Sequence, residues 1–374
     1  MLANAQPTDE EITKAAPMTL QGDDALHGGD VQQASEQYGI AIEDWIDLST
    51  GLNPYGYDVN NIPQKVFREL PYVRDEFIQA AKQYYECENL LAVNGTQMAI
   101  QALPSVLAKT GIVLPSLGYQ EHVKHWQKSN QVSGFYDSSN ADLAQDQINR
   151  FIKAHPNQHL LIINPNNPSG LMFSPQQIQN WAQQLEDGAY IIVDEAFMDL
   201  TPSQSVLSNS MAENMIVLRS FGKFFGLAGI RLGFVFSNAH IIQQLESQLG
   251  LWSVNGPAQY IATQAFTDRA WQRHNIDTIS KTSETNREIF SALFLSNKIA
   301  LQKQVHSGLF SSYWLPAVQA KSLQDFFAKR GILIRLIPVS QQVMVIRIGL
   351  PLLSDAKQAH RVGSAIKEYL TNES

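Results

Sequence analysis

Short apolar runs recur along the middle of the chain, and amphipathic stretches separate several of them. Runs of a few consecutive apolar residues have the length and pattern of strands that are buried on both faces. Short buried strands alternating with helices predict an α/β fold, with a largely parallel sheet covered by helices on both faces. The pattern does not predict the order of the strands. The predicted strands cover residues 90–93, 112–114, 160–163, 190–193, 215–218 and 232–236.

Apolar residues at positions i, i+3 and i+4 predict the helices. The helix at residues 175–185 has the clearest start, because Ser174 precedes Pro175 and Gln177 completes a capping box. The other predicted helices cover residues 31–38, 75–86 and 96–107. A long helical tract, in which a break can lie at any point, covers residues 257–298.

The C-terminal part predicts a different order of elements: strand, helix, strand, strand, helix. Its first helix, residues 322–329, ends before Gly331, and strands follow at residues 332–336 and 343–348. Ser354 is the predicted cap of the last helix. This order predicts a separate α+β lobe.

Composition and charge exclude several classes of protein. Hydrophobic residues make up 44% of the 374-residue chain, as expected for a globular protein with a large core. The formal charge of −8 argues against a nucleic-acid partner. Cys87 is the only cysteine, so the chain forms no intrachain disulfide and no cysteine-based metal site. The nine histidines lack zinc-ligand spacing, and we expect no metal.

The chain shows no targeting or membrane signal. Its first residues have neither the positive charge nor the apolar stretch of a signal peptide. No apolar run approaches the length of a membrane span. We therefore expect a cytoplasmic protein with no membrane partner, whose first 24 residues form a polar, mobile leader.

Polar residues follow four of the predicted strands, and ligands of α/β sheets bind where such loops converge. Gly95 and Thr96 begin a helix whose N-terminal amides and dipole favour an anion, although an ordinary turn capped by Thr96 has the same sequence. Asn167 lies in an Asn- and Pro-rich loop, residues 164–170. That loop can present a rigidly held amide to a ligand, or it can be a simple turn.

Asp194 ends the most apolar of the predicted strands. A buried carboxylate needs a partner that offsets its lost hydration. A protonated heterocyclic nitrogen of a ligand is one such partner. An arginine or a metal ion would serve as well, and the sequence leaves the three open.

Lys223 lies in a glycine-rich turn, residues 220–231, after an apolar run. Apolar surroundings disfavour the ammonium form, and a neutral amine can act as a nucleophile or form a Schiff base. Ser220 and Arg231 are donors of the kind that bind phosphate. An isolated Ser-x-x-Lys is more often an exposed turn, so the motif alone decides nothing.

The spacing of these residues indicates one shared site. Asn167 and Asp194 are 27 residues apart (194 − 167), and Asp194 and Lys223 are 29 apart (223 − 194). Each interval accommodates one strand–helix–strand passage, which places all four loops at one edge of the sheet. A ligand that has a phosphate, a protonated ring nitrogen and a carbonyl group for a lysine is pyridoxal phosphate.

With these motifs the chain resembles the fold-type I pyridoxal-phosphate enzymes of the class I and II aminotransferase superfamily, over residues 25–370. The resemblance implies a transferase-like α/β fold with a large cofactor-binding domain and a smaller α+β domain. The predicted division is residues 1–24 as a leader, 25–50 as a segment packing with the small domain, 51–267 as the large domain and 268–374 as the small domain.

The resemblance also implies a role for each site residue. Lys223 forms the Schiff base and later transfers protons, and Asp194 pairs with the ring nitrogen. Asn167 binds the ring hydroxyl, and Tyr119 stacks on the ring. The phosphate-binding residues are Gly95, Thr96, Gln97, Ser220 and Arg231.

Within the superfamily the chain is most similar to the threonine-phosphate decarboxylases of cobalamin biosynthesis, a branch close to the histidinol-phosphate aminotransferases. That branch converts L-threonine O-3-phosphate to (R)-1-amino-2-propanol O-2-phosphate and CO₂. The resemblance implies that Arg347 binds the substrate carboxylate, and we expect Arg335 and His27 to bind its phosphate. A homodimer is implied as well. The similar stretches are residues 27–30, 45–54, 194–199, 219–229, 252–257 and 346–351.

Two positions depart from the aminotransferases. Phe197 stands where many of them have a tyrosine that bonds the ring oxygen, and this fits the decarboxylase branch. Leu70 precedes Pro71 where the aminotransferases have an aromatic residue that reaches the partner's cofactor phosphate. That contact is either missing or made by another residue, such as Tyr57 or Tyr72.

Other functions stay open at this level. A histidinol-phosphate-type aminotransferase would share the cofactor residues, and a sequence does not show which substrate bond is oriented for cleavage. A cofactor-binding regulatory module would need an effector domain, for which the chain has no basic segment. A nicotinamide oxidoreductase would need a glycine-rich fingerprint between a strand and a helix, which the chain lacks.

Overall fold

The computed structural model describes residue 12, residues 28–208 and residues 211–371. His27 and nearly all of the predicted leader lie outside the described residues. Within them, the α-helices in chain order are α1 (Val31–Tyr38), α2 (Lys65–Arg68), α3 (Asp75–Tyr85), α4 (Thr96–Val106), α5 (Gln120–Lys128), α6 (Ala141–Ala154), α7 (Pro175–Ala182), α8 (Phe221–Phe224), α9 (Ala239–Leu249), α10 (Gly256–Thr267), α11 (Arg269–Phe294), α12 (Ala317–Ala328) and α13 (Ala356–Thr371).

The strands of the described residues form three sheets. In chain order they are β1 (Ile46–Asp47), β2 (Leu90–Val93), β3 (Ile112–Pro115), β4 (Val132–Tyr136), β5 (His159–Ile163), β6 (Ile191–Asp194), β7 (Met215–Ser220), β8 (Gly233–Phe236), β9 (Lys303–Ser307), β10 (Phe310–Pro316), β11 (Ile332–Leu333), β12 (Arg335–Pro338) and β13 (Val343–Gly349).

The described residues divide into two compact units. The first unit comprises Val59–Gly222 and Gly229–Thr267, and the second comprises residues 28–58, Lys223–Ala228 and residues 268–371. The domain boundaries expected from the sequence stay predictions.

The first unit is built on a seven-stranded sheet in the order β2-β8-β7-β6-β5-β3-β4. Strands β2 to β7 run in one direction, and β8 runs antiparallel to both of its neighbours. The prediction of an α/β fold with a largely parallel sheet is therefore confirmed.

Apolar helix faces cover both sides of this sheet, as the alternation along β8 shows. Val235 belongs to a buried cluster with Leu103 of α4 and Leu245 of α9. Phe234 points to the other side, where its ring lies 5.8 Å from Phe77 of α3 and 5.6 Å from Phe266 of α10. Burial on both faces explains why these strands read as apolar runs in the sequence.

The second unit has a four-stranded antiparallel sheet in the order β12-β13-β10-β9. A two-stranded sheet pairs β1 in parallel with β11. One face of the larger sheet packs on a buried cluster that includes Phe290 of α11, Phe327 of α12 and Ile346 of β13. This arrangement agrees with the α+β order that the sequence predicts for the C-terminal part.

Several predicted elements differ from the structure. The predicted strand 332–336 is two strands, β11 and β12, in different sheets. The helix predicted at 322–329 begins earlier, as α12. The cap predicted at Ser354 is wrong, because the Asp355 carboxylate accepts the backbone N–H groups of Lys357 and Gln358 at the start of α13.

Some elements have no counterpart in the prediction: β4, α5, α6 and α9 in the first unit. In the second unit, two strands, β9 and β10, stand where a single strand is predicted before α12. The long helical tract is α10 followed by α11. It breaks at Asp268, whose side chain accepts the backbone N–H of Trp271 and so caps α11.

None of the helices in the described part of the chain is both long and apolar enough to cross a membrane. A cytoplasmic location stays a prediction. Across residue 12, residues 28–208 and residues 211–371, no group of three or more His, Cys, Asp or Glu side chains is placed to hold a metal ion.

Candidate active site

Strands β2, β5, β6 and β7 run in the same direction, so their carboxyl ends lie at one edge of the sheet. Each of these strands is followed by one of the loops that the sequence singles out. Asp194 is the last residue of β6 and pairs in register with Leu218, two residues before the end of β7. In the residues that the structure describes between β6 and β7, the helical elements are single turns of 3₁₀-helix, beginning at Met198, Pro202 and Val206.

The N-terminus of α4 is shaped to receive an anion. No side chain caps this helix, and its N-cap residue, Gly95, has a φ of 71°. A Cβ at Gly95 would lie 2.6 Å from Nη2 of Arg231, so the guanidinium group lies directly against the backbone here. Helix N-terminal amides beside an arginine favour phosphate on both electrostatic and hydrogen-bonding grounds.

Ser220 is brought to the same place by strand pairing. It lies opposite Gly233 on β8. A Cβ at Gly233 would lie 2.6 Å from the backbone nitrogen of Thr96, so the start of β8 packs closely against the first turn of α4. The structure thus gathers Gly95, Thr96, Ser220 and Arg231 as the sequence predicts.

Gln97 and Tyr119 are joined through their side chains. The Tyr119 hydroxyl donates to Oε1 of Gln97 at 3.2 Å, and Nε2 of Gln97 donates to Oε2 of Glu121 at 2.6 Å. Burial raises the pKa of the Tyr119 hydroxyl, with smaller contributions from Glu121 and Asp194. The Gln97 side chain therefore bonds to Tyr119 and Glu121. That Gln97 binds the phosphate stays a prediction, and its backbone N–H is the group that would do so.

The buried partner of Asp194 is a histidine. Nε2 of His122 lies 2.9 Å from Oδ2 of Asp194, and both side chains are nearly inaccessible to solvent. The other carboxylate oxygen accepts the Ala196 backbone N–H at 3.0 Å. Sequence reasoning considered a ring nitrogen, an arginine or a metal and missed the imidazole. The only signal for His122 in the sequence was its position three residues after Tyr119, the residue that precedes α5.

The loop after β5 is held rigidly around Asn167. The Asn164 side chain exchanges two hydrogen bonds with the backbone of Phe173, at 2.8 and 3.0 Å. Nδ2 of Asn166 donates to the Leu117 carbonyl at 3.0 Å. Asn164 and Asn166 are buried whereas Asn167 is half-buried, so the first two asparagines hold the loop that presents the third.

Lys223 lies on α8, a single helical turn three residues beyond Ser220. It is half-buried, and its neighbours in the chain, Phe221, Phe224 and Phe225, are completely buried. The sequence predicts apolar surroundings for Lys223, and these buried phenylalanines on either side of it in the chain are apolar.

A buried ion network supports the loop that carries Asp194. Arg219 of β7 donates to Glu195 at 3.1 Å and to Asp199 at 2.5 Å. Tyr84 donates to the same Asp199 oxygen at 3.1 Å. Burial raises the pKa of Glu195, although Arg219 opposes the shift. Removing one member would leave a buried charge without its partner, which costs on the order of 3–5 kcal/mol.

Phe197 lies in this supported loop and is buried. The network was missed by sequence reasoning, although Glu195, Asp199 and Arg219 all belong to the stretches that carry the family resemblance. Nothing in periodicity or spacing indicates that residues on two strands and a loop bond one another.

In the second unit, Arg347 of β13 lies directly opposite Arg335 of β12. Arg347 is buried and donates to the Ser49 carbonyl. Burial and then the charge of Arg335 lower the pKa of Arg347 to about 10, while Asp47 acts in the other direction. Like charges opposed across a strand pair destabilise the sheet unless an anion offsets them.

The predicted third member of this cluster, His27, lies outside the described residues. The next residue, Gly28, lies against Arg347 and Ser49. A Cβ at Gly28 would be 3.5 Å from Nη2 of Arg347 and 2.9 Å from the Ser49 carbonyl oxygen. The Gly29 backbone N–H donates to the Ser49 hydroxyl at 2.7 Å.

Comparison with known proteins adds three findings on sequence. The family model described as aminotransferase class I and II matches residues 43–361. A threonine-phosphate decarboxylase of Pseudomonas aeruginosa is 36% identical over 328 residues, which cover 87% of this chain and 92% of the relative. The adenosylcobalamin biosynthesis bifunctional protein CobDQ of Leptospira interrogans is 22% identical over 75% of this chain but only 35% of its own length.

The fold is also similar to a solved structure of known cofactor content. Histidinol-phosphate aminotransferase from Sinorhizobium meliloti, in complex with pyridoxal-5'-phosphate, has a TM-score of 0.71 and 18% identity. The match covers 92% of this chain and 96% of that one.

Proposed function

The chain belongs to the class I and II aminotransferase family of pyridoxal-phosphate-dependent enzymes, and we propose that it decarboxylates L-threonine O-3-phosphate in cobalamin biosynthesis. The products are (R)-1-amino-2-propanol O-2-phosphate and CO₂. The observation that carries the proposal is the opposed pair Arg335 and Arg347, which suits a substrate with two anionic ends.

The residues of the first unit fit the cofactor. Gly95, Thr96, Ser220 and Arg231 form a backbone and side-chain cradle for a phosphate, and the uncapped first turn of α4 supplies its amides. Gln97 would add its own backbone amide to this turn.

The other predicted contacts concern the ring and its carbonyl carbon. Asp194, held as a carboxylate acceptor by His122 and the Ala196 amide, would pair with the ring nitrogen. Asn167 would bind the ring oxygen, Tyr119 would stack on the ring, and Lys223 would bond covalently to the carbonyl carbon. When bound, the cofactor withdraws electrons from the bond that breaks at the substrate α-carbon.

The arginines decide how the substrate is oriented. We assign the α-carboxylate to Arg347 and the phosphate to Arg335 together with His27. Charge-assisted hydrogen bonds of this kind contribute about 1.5–3 kcal/mol each. Two or three of them fix the rotation about the α-carbon, so positioning selects which bond is cleaved.

Phe197 supports decarboxylation over amino transfer. A phenylalanine has no hydroxyl to bond the ring oxygen, and this matches the decarboxylase branch that the sequence resembles. Lys223, as a half-buried amine, serves as the proton carrier that returns a proton to the α-carbon after CO₂ has left.

One assay tests the reaction. The purified protein, loaded with pyridoxal phosphate, is incubated with O-phospho-L-threonine, and separately with L-histidinol phosphate plus 2-oxoglutarate. We expect CO₂ in the first mixture and no glutamate in the second. Glutamate without CO₂ would identify an aminotransferase instead. Lys223→Ala is the matched control and should lose both CO₂ release and the visible absorbance of lysine-bound cofactor.

A homodimer is also part of the proposed function. The first unit exposes apolar side chains on α2, on the segment after it and on the turn before α10. The Tyr72 and Trp252 rings meet edge to face at 6.0 Å, which joins the last two of these segments. Clustered apolar residues of this kind mark interaction surfaces. The exposed residues are Phe67, Leu70, Tyr72, Val73, Leu251 and Trp252.

A further inference from the structure

Asn53 is a buried amide in the second unit whose polar atoms are all engaged. Its Oδ1 accepts the backbone N–H of Tyr55 at 2.9 Å. Its Nδ2 lies 3.0 Å from the Tyr55 carbonyl, 2.9 Å from the Phe224 carbonyl and 3.1 Å from Oδ1 of Asn275. Three acceptors for two hydrogens mean that one bond is shared, so this side chain has a single stable orientation.

The segment that begins at Asn53 binds the last carbonyls of the turn that carries Lys223. The Asn53 backbone N–H donates to the Lys223 carbonyl at 3.1 Å, and the Tyr57 N–H donates to the Phe225 carbonyl at 2.9 Å. The Asn53 side chain supplies the bond to the Phe224 carbonyl between them. The carboxyl end of a helix leaves its carbonyls without partners, and this segment satisfies three in succession.

Close backbone packing holds the two segments together. Gly226 has a φ of 65°, and a Cβ there would lie 2.6 Å from the Gly56 Cα and 2.7 Å from the Asn53 carbonyl oxygen. No side chain fits between these backbones. A displacement of the Asn53 segment is therefore transmitted to the Lys223 turn.

Asn275 of α11 reinforces the contact from a second element. It is buried, accepts from Asn53, and donates to the Phe224 carbonyl at 3.3 Å. Four residues earlier, the Trp271 ring stacks on Phe225 with centroids 5.5 Å apart. The Lys223 turn is thus held by a rigid helix as well as by a loop.

We propose that Asn53, supported by Asn275, is a positioning residue that fixes the Lys223 turn so that the lysine amine meets the cofactor carbonyl carbon in a reactive orientation. The inference rests on the proposed role of Lys223. It does not depend on which reaction follows. Reacting groups must be held to within about half an ångström, and a misplacement of about 1 Å costs on the order of 100-fold in rate.

The test compares Asn53→Ala with Asn214→Ala. Asn214 is a half-buried asparagine whose Nδ2 donates to the Ala182 carbonyl, at the end of α7, at 2.8 Å. Both substitutions remove an amide that caps a helix end, but only the first touches the Lys223 turn. The apoproteins are mixed with pyridoxal phosphate, and the growth of visible absorbance gives the rate of covalent attachment. The pH titration of that absorbance in the loaded protein is the second measurement.

We expect Asn53→Ala to slow attachment by about 10-fold to 100-fold and to shift the titration midpoint, with the KM for O-phospho-L-threonine changed less than kcat. Asn214→Ala should match the wild type in all of these. Equal attachment rates and midpoints in the two variants would overturn the proposal.

Asn275→Ala is the second variant, for the case in which Asn53→Ala does not fold. It removes the Asn275 donor to the Phe224 carbonyl and leaves the Asn53 donor in place, so it must shift the titration midpoint in the same direction by a smaller amount. If the titration midpoint of Asn275→Ala equals that of the wild type, the proposal is overturned as well.

The attachment and absorbance measurements use no substrate, so they separate this inference from the proposed reaction. A wild-type protein that binds the cofactor through Lys223 but releases no CO₂ refutes the decarboxylase and leaves the positioning role intact. Borohydride reduction followed by peptide mass spectrometry identifies the attached lysine. Attachment at a different lysine would refute the positioning role.

Discussion

The opposed guanidinium groups of Arg335 and Arg347 are the residue-scale feature that ties structure to substrate. A sheet gains nothing from two cations in register, and burial of Arg347 makes its charge more costly still. The Ser49 carbonyl and the Asp47 charge both act against this cost. A substrate with two anionic ends would add opposite charge beside both arginines, so we expect its binding to stabilise the pair.

Binding of the substrate should consequently depend on the protonation of Arg347, whose pKa is lowered to about 10. A base with a lowered pKa keeps its charge below that pH and loses it as the pH rises through it. Affinity should therefore be constant to about pH 9 and fall above about pH 10. The measurement is the KM for O-phospho-L-threonine as a function of pH.

Two variants should move this pH dependence in opposite directions. Arg335→Gln removes the like charge, so the pKa of Arg347 rises and affinity is lost at a higher pH, even though affinity at neutral pH is weaker. Asp47→Asn removes the opposing charge, so the loss occurs at a lower pH. Shifts of the same sign, or no shift in either variant, would contradict a role for Arg347 in binding.

At the scale of single elements, α4 depends on a glycine at its start. Gly95→Ala should weaken cofactor binding, because the new Cβ would lie 2.6 Å from Nη2 of Arg231 and displace the guanidinium group. Loss of one charge-assisted bond raises the dissociation constant of pyridoxal phosphate by about tenfold or more. Equilibrium dialysis of the cofactor against the apoprotein measures it.

Gly188→Ala provides the matched control for that change. Gly188 also has a positive φ, 88°, but a Cβ there meets nothing within 4 Å. Both substitutions strain the backbone and cost about 1 kcal/mol of folding stability. Equal cofactor affinity in the two variants would show that strain, and not the contact with Arg231, explains any loss at Gly95.

Whether a strand or a helix cap could be predicted depends on how clearly its buried or bonded residues stand out in the sequence. Strands buried on both faces, such as β5 and β6, can be predicted from the sequence because residues 160–163 and 191–193 are continuous apolar runs. β4 was missed because Ser133 and Gly134 interrupt its apolar character, and β9 because it begins with polar residues. Ser354 was taken as a cap by residue type, but Asp355 is one residue closer to the amides that need an acceptor.

The same reasoning separates the site residues that sequence reasoning found from those that it missed. Asp194 and Asn167 follow predicted parallel strands of the first unit, so the predicted topology already places their loops at one edge of the sheet, and Lys223 follows the end of another predicted strand. His122 comes from α5, an element that the pattern did not identify. The contacts of Asn53 with Phe224 and Asn275 join residues more than 150 positions apart, and no local pattern records such a pairing.

At the scale of the whole molecule, the exposed apolar side chains of the first unit are the basis of the proposed dimer interface. Leu251 is 78% exposed and Leu70 is 59% exposed, beside the Tyr72 and Trp252 rings. Burying a leucine side chain contributes about 1.5–3 kcal/mol, so a few such residues favour association strongly. A second copy of the chain is the occupant that the family resemblance implies.

We expect the wild-type protein to sediment at twice the mass of one chain, and Leu70→Glu or Leu251→Glu to shift it towards the monomer. A carboxylate placed in an apolar interface without a partner opposes association by several kcal/mol. Val318→Glu is the control, because Val318 is 84% exposed in the second unit and lies outside this surface. Sedimentation velocity over a range of concentrations distinguishes the outcomes. A wild-type monomer, or leucine variants that dimerise as well as Val318→Glu, would rule out this surface as the dimer interface.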